Sequence, residues 1–175
     1  ESTAESACKN CAAGKYNNEA GSISIHECKE CPIGTYGNEE ALSSCKGCDT
    51  GKYNNEVGLG ACKECRAGTY NSREGSSSNS SCKACLPGRR SISPVGGQSS
   101  SSSCISCELG KYNSDTGRIS CFECPIGYYN DKVESNSSGA CKYCPRGKNG
   151  RNKTTKVAGT ASEREREESE CAASP

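Results

Sequence analysis

The sequence predicts small disulfide-rich repeats, an elongated rod of short irregular β-hairpins with little or no helix and no large hydrophobic core. Three observations carry that prediction. One is a recurring C-x-x-C-x-x-G-x-Y grammar, complete in Cys28-Lys29-Glu30-Cys31-Pro32-Ile33-Gly34-Thr35-Tyr36. Its cysteine pairs begin at Cys8, Cys28, Cys45, Cys62, Cys82, Cys104, Cys121 and Cys141, at intervals of 20, 17, 17, 20, 22, 17 and 20 residues, and such self-similarity marks a tandem array. A second is cysteine density: 17 in 175 residues, the regime in which covalent bridges replace a core in secreted proteins. The third is that Leu, Ile, Val and Phe number only 16 together, too few to bury the apolar area an ordinary domain needs.

Composition also limits the partners. With 22 basic and 21 acidic side chains and a net charge of +1, electrostatics offers no reason to expect nucleic acid or an anionic membrane. No apolar run approaches the roughly 20 residues that span a bilayer, so no membrane insertion is expected in this segment. The chain contains no methionine and starts at Glu1 without a charged-then-apolar leader, as a processed product or a piece of a longer protein would.

Taken in order, residues 1–7 are small and polar and read as a leader or linker, and residues 8–144 as the tandem cysteine-rich repeats. Units start near Cys11, Cys31, Cys48, Cys65, Cys85, Cys107 and Cys124. The glycine three residues after each of these cysteines, from Gly14 to Gly127 and again at Gly147, holds a fixed offset that a backbone turn with positive φ requires. The tyrosine slot is filled by Tyr16, Tyr36, Tyr53, Tyr70, Tyr112 and Tyr129 but broken by Arg90 and Asn149. Each unit is expected to be a hairpin with its tyrosine on the outgoing arm, a tip near a mid-unit glycine (Gly21, Gly58, Gly75, Gly117, Gly139) and a return arm ending at cysteine. Ile23 and Ile25 alternate with polar neighbours as a short strand does. Loop length is expected to vary only at the tip, most of all in the Cys85 unit, where the serine run 99–103 suggests a flexible or O-glycosylated tip. Residues 145–175 read as a divergent terminal unit or linker, with a basic stretch at 146–156, a charged helix-permissive one at 162–170, and possible closure by Cys171.

Two connectivities satisfy the cysteine spacing. If the second cysteine of each pair closes onto the first of the next, the bridges are Cys11–Cys28, Cys31–Cys45, Cys48–Cys62, Cys65–Cys82, Cys85–Cys104, Cys107–Cys121, Cys124–Cys141 and Cys144–Cys171. Cys8 is then unpaired or intermolecular. An interlaced scheme, Cys8 with Cys28 and Cys11 with Cys31, fits as well. Pairs of C-x-x-C also match four-thiolate zinc sites, but the Gly-x-Tyr after each pair, the odd cysteine and three glycosylation acceptors argue for an oxidising route instead. Thioredoxin-type redox chemistry needs a βαβ framework, and none is present.

The run Cys-Pro-x-Gly-x-Tyr, clearest at Cys31-Pro32-Ile33-Gly34-Thr35-Tyr36 and Cys124-Pro125-Ile126-Gly127-Tyr128-Tyr129, resembles the extracellular cysteine-rich repeats of ephrin-receptor-like proteins. It is also similar to the first loop module of tumour necrosis factor receptor ectodomains. That resemblance implies the sequential pairing, a rod-like shape, and a tyrosine packed against a disulfide. Receptor modules of the second kind intersperse other cysteine patterns, whereas this chain uses a single loop type.

The remaining candidates are few. The sequons at Asn79, Asn136 and Asn152 are potential glycosylation sites, with Asn79 and Asn136 expected on hairpin tips in the longer units. His26 is the sole histidine, and no nucleophile elbow accompanies it. The carboxylates are scattered, with no calcium-type loop, and tyrosines at unit spacing suit packing better than sugar stacking. No catalytic residue, metal or cofactor is expected. The expectation is therefore a non-enzymatic extracellular or cell-surface glycoprotein serving as spacer, coat or fibre-forming scaffold. Its partners would be other copies of itself or neighbouring modules of a longer chain, with covalently attached glycans. The alternative is a receptor or adhesin ectodomain fragment binding a protein ligand.

Overall fold

The computed structural model describes residues 10–19 and 24–144, and the chain forms two compact units, Glu1–Lys83 with Val95–Ser101 and Ala84–Pro94 with Ser102–Pro175. Every described repeat starts the same way. Four residues after the loop-opening cysteine a backbone N–H closes a tight turn: Lys15 onto Ala12 C=O, Lys52 onto Asp49 C=O and Lys111 onto Glu108 C=O, at 3.0 to 3.2 Å. The consensus glycine is third in that turn, with φ between 75° and 86°, the position and sign at which a side chain is disfavoured.

The turn delivers the chain into a strand of two residues, or three in the Cys85 repeat. Among the described residues there are seven two-stranded sheets: β1 (Lys15–Tyr16) with β2 (Lys29–Glu30), β3 (Thr35–Tyr36) with β4 (Lys46–Gly47), β5 (Lys52–Tyr53) with β6 (Lys63–Glu64), β7 (Thr69–Tyr70) with β8 (Lys83–Ala84), β9 (Arg89–Ser91) with β10 (Cys104–Ser106), β11 (Lys111–Tyr112) with β12 (Phe122–Glu123), and β13 (Tyr128–Tyr129) with β14 (Lys142–Tyr143). The register is constant: Tyr16 faces Lys29, Tyr53 faces Lys63, and Tyr129 faces Lys142. The return arm thus does not stop at the cysteine, as the sequence suggested. It starts beside the cysteine and occupies the middle of the C-x-x-C knuckle, which closes one hairpin and opens the next repeat. One further bond extends six of these ladders, from Cys31 N–H to Gly14 C=O at 2.8 Å and equivalently at Cys48, Cys65, Cys107, Cys124 and Cys144.

A second positive-φ residue marks each tip among the described residues: Ala41, Gly58, Gly75, Gly97, Gly117 and Glu134. It lies ten residues after the loop-opening cysteine, or twelve in the Cys85 repeat. The tip is therefore nearly fixed in length. Most of the length variation lies beyond it, where longer loops insert one 3-10 turn directly before the closing cysteine: Ile25–Glu27, Asn79–Ser81, Ser101–Ser103 and Ser138–Ala140. Three expectations change as a result. Ile25 opens a 3-10 turn and is exposed, where a strand residue was expected; Gly139 sits in another such turn, and Glu134 takes the tip in its place. Gly21 and Ile23 lie outside the described residues. The serine run also belongs to no loose tip: Gly97 N–H donates to Cys65 C=O at 2.8 Å, Asn71 N–H donates to Gln98 C=O at 2.9 Å, and Ser101–Ser103 is a 3-10 turn.

The interior is not aliphatic. Among the described residues its largest fully buried side chains are Asn54, Asn71, Asn113 and Asn130 with Cys31, Cys48, Cys65, Cys85 and Cys107, joined by Ser91. Ile33, Val57, Leu86 and Ile126 are exposed. Of the tyrosines in the consensus slot, Tyr129 is buried and the others half-buried.

Close packing extends two repeats along the chain. A Cβ built on Gly14 would overlap Gly58 C=O, one on Gly34 would overlap Gly75 C=O, and one on Gly51 would overlap Gly97 C=O. At Gly14, Gly34 and Gly51 the consensus glycine is thus fixed twice, by its φ and by a carbonyl seated on its α-carbon, whereas at Gly110 and Gly127 φ acts alone. Gly51→Ala should cost about 2–4 kcal/mol, the left-handed penalty plus overpacking against backbone. A denaturant midpoint equal to that of the parent would refute this.

Candidate functional site

The surfaces through which repeats join are the part of this molecule with a repeated, specific chemistry. At the junction of the Cys48 and Cys65 repeats four hydrogen bonds cross: Gly51 N–H to Asn71 C=O at 2.7 Å, Asn54 N–H to Ser76 C=O at 2.9 Å, Gly75 N–H to Cys48 C=O at 2.7 Å, and Asn71 Nδ2 to Lys52 C=O at 2.9 Å. The donors and acceptors stay in register because the turn glycine, the residue after tyrosine and the tip keep their spacing in both repeats.

Asparagine is the side chain this junction requires. Its Nδ2 reaches back to Thr35 C=O from Asn54 (2.7 Å), to Arg89 C=O from Asn113 (2.5 Å) and to Lys111 C=O from Asn130 (2.8 Å). Its Oδ1 accepts from the backbone N–H two residues on, at Glu56, Arg73, Asp115 and Lys132, over 3.1 to 3.2 Å. One short amide closes an Asx turn in its own repeat and donates to the preceding one. Aspartate lacks the donor, and glutamine carries one carbon too many for the turn. Where Gly37 fills the slot, only main-chain bonds remain: Gly14 N–H to Gly37 C=O at 2.8 Å and Gly37 N–H to Leu59 C=O at 3.1 Å. Sequence reasoning passed over these asparagines. The residue after Tyr in G-x-Y-N is Asn at Asn17, Asn54, Asn71, Asn113 and Asn130, a periodicity interrupted once more than that of the tyrosine, by Gly37 after Tyr36.

Charge decorates this frame. Lys29 reaches Glu19 and Asn18, Lys46 reaches Glu39 and Asn38, Lys63 pairs with Glu56, and Lys142 reaches Asp131 at 2.6 Å. Each lysine is the first residue inside a knuckle, and each acid lies on the way to the tip of the loop that the knuckle closes. In the Cys107 repeat Phe122 takes the lysine position, stacks on Tyr112 with ring centroids 5.5 Å apart, and carries the Arg118 guanidinium at 4.0 Å.

The most connected ion pair joins the Cys85 repeat to the Cys124 repeat. Arg89 donates from Nε and Nη2 to the two oxygens of Glu134, at 2.7 and 3.0 Å, and Ser106 Oγ adds a bond of 2.9 Å. The Arg89 and Ser106 hydrogen bonds hold the Glu134 carboxyl below its ordinary value of 4.5, and the same pair raises the Arg89 guanidinium. A lowered carboxyl contributes stability above the unfolded value and loses it as pH falls through the folded one. Between pH 5 and pH 3 the thermal midpoint should therefore drop more steeply in the parent than in Glu134→Gln, and parallel curves would contradict the assignment.

The residues singled out in the sequence lie as follows. Disulfides join Cys11–Cys28, Cys31–Cys45, Cys48–Cys62, Cys65–Cys82, Cys85–Cys104, Cys107–Cys121 and Cys124–Cys141, with Cα atoms 5.4 to 5.9 Å apart. Cys144 is buried. Cys8, Asn152 and Cys171 lie outside the described residues. Asn79 does not sit on the hairpin tip expected for it, which is Gly75, but opens an exposed 3-10 turn capped by Ser78 before the closing cysteine, and Asn136 is exposed beside the buried Ser135. His26 is exposed in the first 3-10 turn. Among the described residues no three His, Cys, Asp or Glu side chains gather as a metal site, and no helix is long and apolar enough to cross a membrane.

Comparison with known proteins returns one family model, described as tyrosine-protein kinase ephrin type A/B receptor-like, matching residues 34–82, 95–141 and 114–165. Those stretches cover more than half of the chain and coincide with its cysteine repeats. No curated protein matches it.

Proposed function

Because this chain belongs to the tyrosine-protein kinase ephrin type A/B receptor-like family, we propose that it is an extracellular structural repeat glycoprotein, acting as a spacer, coat or fibre-forming scaffold. Cysteine-rich repeats of this family are non-catalytic modules of extracellular receptor type. The observation that carries the scaffold reading is the inter-repeat lattice. Glycine, asparagine and cysteine main-chain groups are spent on the next repeat, as they are in Gly51 to Asn71 and Gly75 to Cys48. Stability built from such neighbour terms propagates along an array without a ligand. Other copies of the chain, or adjoining modules, are the natural partners of a surface of this kind.

Glycans fit the exposed sequons. Asn79 and Asn136 offer acceptor amides clear of the junctions, and enzymatic deglycosylation of protein from a secreting host should lower the intact mass. An unchanged mass would remove the glycoprotein part of this reading. The scaffold part is tested by negative-stain imaging of native material, with regular filaments expected. Isolated particles would overturn it in favour of a receptor or adhesin ectodomain. One observation favours that second reading: Ile126, Tyr128 and Tyr143 are exposed together near β13 and β14, the two tyrosines edge to face with centroids 5.5 Å apart, a composition common where proteins bind proteins.

A further inference from the structure

Repeats two places apart touch through a small, variable set of side chains, and that set differs from one contact to the next. In the Cys48 repeat Lys52 on β5 faces Glu64 on β6, with Nζ 4.0 Å from Oε1. The tip that arrives over this hairpin is Gly97. A Cβ placed there would lie 3.4 Å from the Glu64 carboxyl, in ordinary contact with it, so the head group of any longer side chain at this tip is set beside that carboxylate. The Cys11 repeat is arranged alike. Lys15 faces Glu30, and the arriving tip is Gly58, whose Cβ would lie 3.4 Å from the Glu30 carboxyl carbon.

The Cys85 repeat reverses the arrangement. Arg89 stands where Lys52 and Lys15 stand, but the residue facing it across the hairpin is Ser106, which has no charge to offer. Here the arriving tip is Glu134, held at a φ of 58° that glycine adopts more easily. Its carboxylate takes both Arg89 hydrogen bonds and that of Ser106. Each of these hairpin cations is therefore set against one acid, ion-paired at Lys52–Glu64 and Arg89–Glu134 and placed opposite by strand register at Lys15–Glu30. That acid stands either on the opposite strand, under a glycine tip, or on the tip itself, above a serine.

We propose that this is a pairing code: the residue before the second cysteine of each knuckle selects which repeat can stack two places on. Glutamate at that position admits a glycine tip and rejects an acidic one by like-charge contact. Serine opposite an arginine selects an acidic tip. The Cys31 repeat, with Gly47 under Gly75 and an ideal Cβ 3.8 Å from the Gly75 α-carbon, carries neither charge and discriminates by size alone. The code rests on the scaffold reading for its use, since it would order repeats within an array. It is measured inside a single chain, so its outcome does not depend on filaments.

The test transplants the code into the Cys48 and Cys85 repeats. Gly97→Glu places an acid above Glu64, and Gly97→Gln carries the same backbone cost without the charge. Exchange of the Gly51 amide, which is hydrogen-bonded to Asn71 in the adjoining repeat, reports the opening of this region. Gly97→Glu should speed that exchange by about tenfold or more, and adding Glu64→Ser should bring it back to within about threefold of the parent. In the Gln background Glu64→Ser should restore little. Equal effects of Glu64→Ser in the two backgrounds would overturn the code. A second variant covers failure of Gly97→Glu to fold: Ser106→Glu should destabilise the parent but be tolerated with Glu134→Gly, and additive midpoint shifts would likewise overturn it.

Discussion

Reducing agent is expected to unfold this protein completely under conditions where the oxidised chain is stable. Each bridge closes a loop of 14, 17 or 19 residues, for which the chain-entropy model gives about 3 kcal/mol, with incomplete additivity between neighbours. Folded domains as a rule hold only about 5–15 kcal/mol in all. Seven bridges therefore exceed any margin this chain could keep without them. The usual reserve is missing as well, since the interior is built of cysteine and asparagine and the large aliphatic residues Ile33, Val57, Leu86 and Ile126 stand in solvent. Two-residue strands cannot hold on their own, because an isolated hairpin is marginal in water. Backbone amide exchange with and without a phosphine reductant is the measurement. The Gly51, Asn71 and Gly75 amides, protected when oxidised, should all exchange at coil rates when reduced. Protection that survives full reduction would mean that hydrogen bonding, and not covalent closure, carries the fold.

Asn71 is expected to be the most damaging non-cysteine, non-glycine side chain to remove. It is 1% exposed and makes three side-chain contacts, donating to Lys52 C=O and Ser76 Oγ and accepting from Arg73 N–H. Asn71→Ala leaves those groups facing a cavity, and each unsatisfied buried group costs about 1–3 kcal/mol, so a loss of about 3–5 kcal/mol should follow. Asn71→Asp tests the chemistry apart from the volume. It keeps the shape and the Arg73 bond but turns an acceptor toward Lys52 C=O, so it should lose nearly as much at neutral pH and recover partly in acid, where the protonated carboxyl donates again. Exposed Asn55, next to Asn54 in the preceding repeat, is the control: Asn55→Ala should shift stability by no more than about 0.5 kcal/mol. Denaturant midpoints of the three variants decide the matter, and equal effects at Asn71 and Asn55 would remove asparagine from the junction.

Much of the architecture was legible because cysteine and glycine make local demands. The C-x-x-C-x-x-G period marks a turn whose third residue needs positive φ, and the structure places Gly14, Gly34 and Gly51 there. Low aliphatic content excluded a large core, and the family match agrees with the resemblance at Cys31 to Tyr36 and Cys124 to Tyr129. The position of the return strand was less legible. A hairpin read from its turn ends naturally at the cysteine, yet Tyr16 pairs with Lys29, one residue beyond it, because the bridge brings the knuckle alongside the outgoing arm. The tips were read from glycine alone, and Ala41 and Glu134 show that position along the loop, not residue type, decides which residue turns. Glu134 is tolerated there because Arg89 and Ser106 bond its carboxylate, partners 45 and 28 residues away.

Sequence by itself determined the covalent period, the turn glycines, and the absence of an oily interior, since each depends on residues a few positions apart or on composition. Tertiary structure alone decided what asparagine does. A polar side chain next to tyrosine reads as surface until the preceding repeat brings Lys52 C=O within 2.9 Å of Asn71 Nδ2, across 19 residues of chain. An amide acquires its value from the carbonyl placed opposite it, and that placement belongs to the packing of one repeat on the next.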